Sequence, residues 1–172
     1  MEKDREHIME KRTFAIIMSL LMTILSTSLY SLERDAPTFA LFDTGGKLVS
    51  LRSRLSQNNV VLAFFASYCV PCRKEIPDLI KIRNDNPGKF SLLLINIDRE
   101  GKDKALPFLE GIGASDQECL LDIYQQTALK YIPDLKVPAF FLIDKRGKIM
   151  IESVGVDERK LGELRRAVKR LR

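Results

Sequence analysis

Histidine occurs once, cysteine three times and tryptophan not at all in these 172 residues, and the shortage of metal ligands is the first constraint. A structural zinc needs four ligands, usually drawn from two Cys/His pairs. Beyond Cys69 and Cys72 the chain offers only Cys119 and His7, and His7 stands at the extreme N-terminus. No repeat or disorder-like composition is present. No motif or interleaving of aromatic and basic side chains accompanies the net charge of +5, so nothing points to nucleic acid. No cysteine follows the apolar run near the N-terminus, which argues against a lipoprotein. What is present, 45% hydrophobic and 30% charged residues, suits one domain with a substantial core.

Cys69-Val70-Pro71-Cys72 directly follows the apolar run Val60–Ala66 and opens a helix-like stretch. Two thiols at this spacing mean redox chemistry. A helix N-terminus carries unpaired N–H groups and the positive end of the macrodipole, so the thiolate of Cys69 is favoured there. Cys72, one turn on, can attack a mixed disulfide formed at Cys69 and release the partner. On this reading Cys69 is the exposed nucleophile and Cys72 the buried resolving thiol. Cys119, in a strand-like context, reads as a small core residue.

The N-terminus reads as an export segment. Lys11-Arg12 precede an uncharged stretch from Thr13 to Leu32 with its apolar heart at Phe14–Leu25. Ser26-Thr27-Ser28 offers a small-x-small cleavage site, yet about 20 uncharged residues also suffice to span a bilayer. Two readings therefore stand for residues 1–31, a signal peptide or an N-terminal membrane anchor, with the folded domain over 36–172 delivered outside the cytoplasm. Met9 would also serve as a start.

The elements follow in an order that suggests a mixed sheet between helices. Phe39–Phe42 and Lys47–Leu51 form an N-terminal hairpin turning at Gly45-Gly46. Val60–Ala66 and Leu92–Ile97 are buried strands, since neither alternates. Helices are expected over the segment opened by the cysteines, ending near Asn84, and over Lys102–Gly111 and Ile123–Tyr131, with a brief strand at Cys119–Leu121. Ala139–Ile143 and Ile149–Val154 flank the turn Asp144–Gly147. Leu161, Leu164, Val168 and Leu171 recur at helical spacing in a basic final helix whose charged face reads as solvated.

From about Ala36 onward the chain resembles the exported TlpA/ResA-like thiol-disulfide oxidoreductases, which have the thioredoxin fold and AhpC/TSA-type peroxiredoxin cousins. Three segments carry the likeness: Ala36-Pro37-Thr38-Phe39-Ala40-Leu41, Phe64 through Pro77 with both cysteines, and Val137-Pro138-Ala139-Phe140-Phe141-Leu142-Ile143-Asp144. The resemblance implies an α/β thioredoxin fold with the N-terminal β-hairpin as an extension. It implies a cis peptide at Pro138 that turns the Val137 backbone toward an extended substrate chain. Tyr68, Val70 and Pro71 would complete the substrate surface, with Tyr68 standing where the family usually has tryptophan. Ala63 replaces the buried aspartate of cytoplasmic thioredoxin. Glu75 matches a glutamate of the haem-maturation branch that could carry protons for Cys72.

The resemblance further implies a protein disulfide as substrate, an apocytochrome c cysteine pair among the candidates, and a membrane thiol donor of the DsbD or CcdA type. The redox-active disulfide would be the only cofactor. Val70-Pro71 brings no cationic support to Cys69, which favours reductase or isomerase work over oxidation. A peroxiredoxin-like peroxidase is a second reading, weakened because its P-x-x-x-T-x-x-C pattern would need proline at Leu62 and threonine at Ala66. A non-catalytic binding module is a third, disfavoured by the intact cysteine pair.

Overall fold

The computed structural model describes residues 34–171. The export segment expected over 1–31 lies outside them. The strands and helices are β1 Ala40–Asp43, β2 Leu48–Ser50, α1 Leu51–Leu55, β3 Asn59–Phe65, α2 Cys72–Asn84, β4 Phe90–Asn96, α3 Lys102–Glu110, β5 Cys119–Leu121, α4 Gln126–Tyr131, β6 Ala139–Ile143, β7 Ile149–Val154 and α5 Glu158–Val168. Among them no helix is long and apolar enough to cross a membrane.

One sheet runs in the order β2-β1-β5-β4-β3-β6-β7. β4 lies parallel to β3 and to β5, and every other pairing is antiparallel. β3 is buried along its whole length because helices cover both of its faces. Val61, Ala63 and Phe65 point into one core with Ile76 and Leu79 of α2, Phe108 of α3 and Leu161, Leu164 and Val168 of α5. Val60, Leu62 and Phe64 point into the other with Leu51 of α1 and Ala128 and Tyr131 of α4. A period of two thus explains why neither face of this strand reads as polar.

The N-terminal hairpin forms one residue later than its pattern suggests, pairing Ala40 with Ser50. Its turn is held by Asp43, whose Oδ1 accepts from Gly45 N at 2.8 Å and Lys47 N at 2.9 Å, while Gly46 takes φ 84°. β1 also pairs with β5, so the hairpin widens the sheet. Two helix boundaries depart from the sequence expectation. Leu51 starts a short helix rather than ending a strand, because the Ser50 side chain caps it by accepting from Ser53 N. α4 begins at Gln126 rather than Ile123: Asp122 Oδ2 accepts from Ala128 N and Gln125 sits at φ 58°, so the preceding residues form a turn.

Strand direction fixes two ends of the domain. β3 begins at Asn59 and ends at Phe65, four residues before Cys69. β6 runs the other way, so Ala139 pairs with Phe64 and Ile143 with Val60. The cysteine loop and the Val137–Pro138 peptide therefore share one end of the sheet.

Candidate active site

β3 delivers the chain into a short turn in which Cys69 N donates to Ala66 O at 3.0 Å. Pro71, with φ −63°, then leads into α2 at Cys72; proline suits this place because its fixed φ is helical and it has no N–H to satisfy. Most of the first-turn amides are occupied: Arg73 N donates to Val70 O, and Lys74 N and Glu75 N to Pro71 O. The amide of Cys72 is different. It donates to Cys69 Sγ at 3.2 Å, so the start of the helix is aimed at the sulfur itself.

Cys69 and Cys72 form a disulfide with their Cα atoms 5.4 Å apart. The expectation of an exposed Cys69 needs correction: 4% of its surface is accessible, against 0% for Cys72. Its neighbours Tyr68 and Val70 stand out at 66% and 74% exposure, while the cysteine between them turns into the core that holds Phe65, Cys72 and Ile76. Cys69 remains the less buried partner. Pro71 is exposed, Val137 half-buried and Pro138 buried.

The Val137–Pro138 bond is cis. Pro138 O accepts from Gly155 N at 2.8 Å. Gly155 sits at φ 78°, a conformation that L side chains rarely adopt, so glycine suits this strap between the cis-proline loop and the end of β7. Val137 packs against both cores.

Glu75 lies one turn beyond Cys72 on α2, beside a small cavity of about 70 Å³ lined also by Pro71, Asp78, Asp157, Glu158 and Leu161. Burial, reinforced by Asp78 and Glu158, pushes its carboxyl up to about 7. The nearby cation does not rescue it: Lys74 Nζ pairs with Glu158 Oε1 at 2.7 Å. Ala63, in the place where thioredoxin has aspartate, is buried in the same core as both cysteines. Glu75 is thus a carboxyl close to the cysteine pair that changes charge near neutrality. Cys119 is buried and burial pushes its thiol up to about 12, which leaves it inert near neutral pH.

The sequence reading missed Asp98. This buried carboxylate accepts from Ser67 N at 2.7 Å, Ser67 Oγ at 3.0 Å and Asn96 Nδ2 at 2.7 Å. It ties the loop between β3 and Cys69 to the end of β4. The available signal was an Asn96-Ile97-Asp98 interruption of an otherwise apolar strand, which needs a partner if buried.

A mixed sheet between helices, with a C-x-x-C disulfide at the head of α2 and a cis-proline at the same sheet end, defines a thiol-disulfide protein of the thioredoxin fold. Residues 32–171 match the Redoxin family, and the chain belongs to it. Thiol-disulfide oxidoreductase ResA of Bacillus subtilis (strain 168) is 31% identical over 118 residues, 67% of this chain and 63% of that protein, so the match leaves over a third of the relative's length unspanned. The thiol:disulfide interchange protein CycY of Rhizobium leguminosarum bv. viciae is 30% identical over 106 residues, 62% of this chain and 53% of its own. A solution structure ascribed to a protein disulfide isomerase of Bacteroides thetaiotaomicron superposes with a TM-score of 0.72 at 31% identity, covering 83% of this chain and 91% of the other. A crystal structure ascribed to thiol:disulfide interchange protein DsbE of Chlorobium tepidum gives 0.69 at 28% identity, covering 80% and 94%.

Proposed function

We propose that this protein is an extracytoplasmic thiol-disulfide oxidoreductase that reduces protein disulfides, and the observation that carries the reading is the Cys72 amide donating to Cys69 Sγ. In the reduced protein that amide stabilises the Cys69 thiolate without any cationic side chain. The thiolate attacks one sulfur of a substrate disulfide, forming a Cys69–substrate disulfide and expelling one substrate thiolate, which takes a proton. Cys72 then loses its proton, for which Glu75 is the acceptor, and attacks Cys69 Sγ. The second substrate thiolate leaves. Two electrons have passed to the substrate, and the Cys69–Cys72 disulfide seen in the structure is the product.

Substrate docking falls to the exposed Tyr68, Val70 and Pro71 and to the backbone of Val137, which precedes β6 and lies outside its ladder. An extended peptide adds there as a short strand. The regeneration step needs a dithiol donor, and the ResA-like resemblance supports a membrane thiol carrier of the DsbD or CcdA type. The same resemblance supports an apocytochrome c cysteine pair as substrate.

The potential of the Cys69/Cys72 pair decides the direction. With one amide and a helix terminus supporting the thiolate and no charge from Val70-Pro71, we expect a value below roughly −200 mV, nearer the thioredoxin value of about −270 mV than the DsbA value of about −120 mV. Equilibration in glutathione or dithiothreitol buffers measures it. A value near that of DsbA would refute reduction in favour of oxidation, and rapid peroxide consumption would favour the peroxidase reading.

A further inference from the structure

The end of the domain opposite the disulfide gathers unpaired cations. The starts of β3 and β4, the turn between β6 and β7 and the C-terminal ends of α2 and α5 all meet there. Lys145 N donates to Asn59 Oδ1, Asn59 Nδ2 to Lys89 O and Lys89 Nζ to Leu171 O. Arg52, Lys81, Lys145, Lys169 and Arg170 are exposed at this end and pair with no carboxylate among the described residues. Asp35 and Asp144 are engaged by Lys148 and Arg146. At the disulfide end the acids are matched by cations, Lys74 pairing with Glu158, Arg165 with Asp78 and Arg159 with Asp157.

Helix dipoles account for Lys81, Lys169 and Arg170, which sit at or just past helix C-termini. They do not account for Lys145, on a hairpin turn, or for Arg52 across from it. These two and Arg146 rim an open groove of about 470 Å³ with Ala36, Leu51 and Leu55 as its apolar wall. The chain also reaches the domain here, since Arg34 O accepts from Ile149 N and Ala36 N donates to Gly147 O. The uncharged stretch Thr13–Leu32 therefore joins the domain beside the basic end.

We propose that this basic end is a docking surface for an anionic phospholipid bilayer and that docking turns the Cys69–Cys72 end away from the membrane. The partner is identified by charge and by place. A cationic face with an apolar-walled groove, next to the attachment of a segment long enough to reach a bilayer, suits lipid headgroups. The proposal rests on the extracytoplasmic, membrane-adjacent reading given above, and it adds a second contact that orients the redox centre.

The test uses the full chain with vesicles of phosphatidylcholine alone or mixed with phosphatidylglycerol, and follows backbone hydrogen exchange. On the anionic vesicles, peptides covering 50–56, 143–149 and 168–171 should exchange several-fold more slowly than on the neutral ones, while 66–73 is unchanged. High salt should abolish the difference. Arg52→Glu with Lys145→Glu should abolish it too while insulin reduction in detergent stays intact; each charge is worth about five-fold in binding. Equal exchange on both vesicles, protection at 66–73 instead, or protection produced by a polyglutamate chain but not by anionic lipid would overturn the proposal. Co-sedimentation with phosphatidylcholine in high salt reads the N-terminal segment separately. Loss there with protection retained on anionic lipid removes the anchor and keeps the docking surface.

Discussion

At Cys69 the deciding contact is a single backbone amide, that of Cys72, and the proposed division of labour between the cysteines rests on it. Only the first sulfur receives the helix start. Cys72→Ser should therefore accumulate mixed disulfides with substrate, seen as adducts on non-reducing gels, while Cys69→Ser accumulates none; trapping by Cys69→Ser instead would reverse the assignment. Glu75 makes a prediction about pH. Its folded-state carboxyl, raised from 4.5 to about 7 chiefly by burial, holds its proton more tightly than the unfolded chain does. Between those values the unfolded state binds fewer protons, so this group's contribution to stability falls as pH rises, the reverse of the usual carboxylate. Glu75→Gln should match the oxidised wild type at pH 4 and exceed it by up to about 3 kcal/mol above pH 8. Urea unfolding across that range measures it, and a constant difference would remove the buried-carboxyl account. If Glu75 also accepts the Cys72 proton, the same variant should lose the acid limb of the insulin-reduction profile near pH 7.

Among the elements, the join between β3, β4 and the cysteine loop depends on Asp98. Asp98→Ala leaves the Ser67 amide and the Asn96 side chain buried without an acceptor, which should cost about 2–4 kcal/mol in unfolding. Ser67→Ala removes only the hydroxyl bond and should cost about 1 kcal/mol. Equal losses would show that the backbone bond to Ser67 carries no weight. The strands and helices also mark how far pattern reading reaches. β3, β4, β6, β7 and α2 were legible because unbroken apolar runs and helical spacing report burial directly. The short α1 was not, since five residues carry no periodicity and a cap at Ser50 decides them. The start of α4 was displaced for a similar reason, a side-chain bond from Asp122 outweighing the run of residues before it.

For the molecule as a whole, location and direction of electron flow go together, because a reductase in an oxidising compartment works only if electrons reach it from a membrane donor. Lys11-Arg12 and the uncharged stretch after them predict export, and fractionation should recover the protein outside the cytoplasm. Recovery of the full-length chain in soluble cytosol would end that reading. Docked by its basic end, the protein would hold the disulfide toward incoming substrate, and regeneration by a membrane donor would then require release from that contact.

The sequence by itself determined that Cys69 and Cys72 stand at a strand-to-helix junction, that the sheet lies between helices, and that Cys119 is a core residue. These are local or periodic properties, readable wherever spacing and apolar runs force them. Tertiary structure alone decided what surrounds the sulfurs. The burial of Cys69 depends on its packing into the core around β3 and α2, the raised Glu75 on its own burial, to which Asp78 and Glu158 add, and the hold of Asp98 on a contact across 31 positions of chain. Solvation and charge at a point depend on every group that folding brings near it, and sequence spacing reports only the few that are neighbours along the chain.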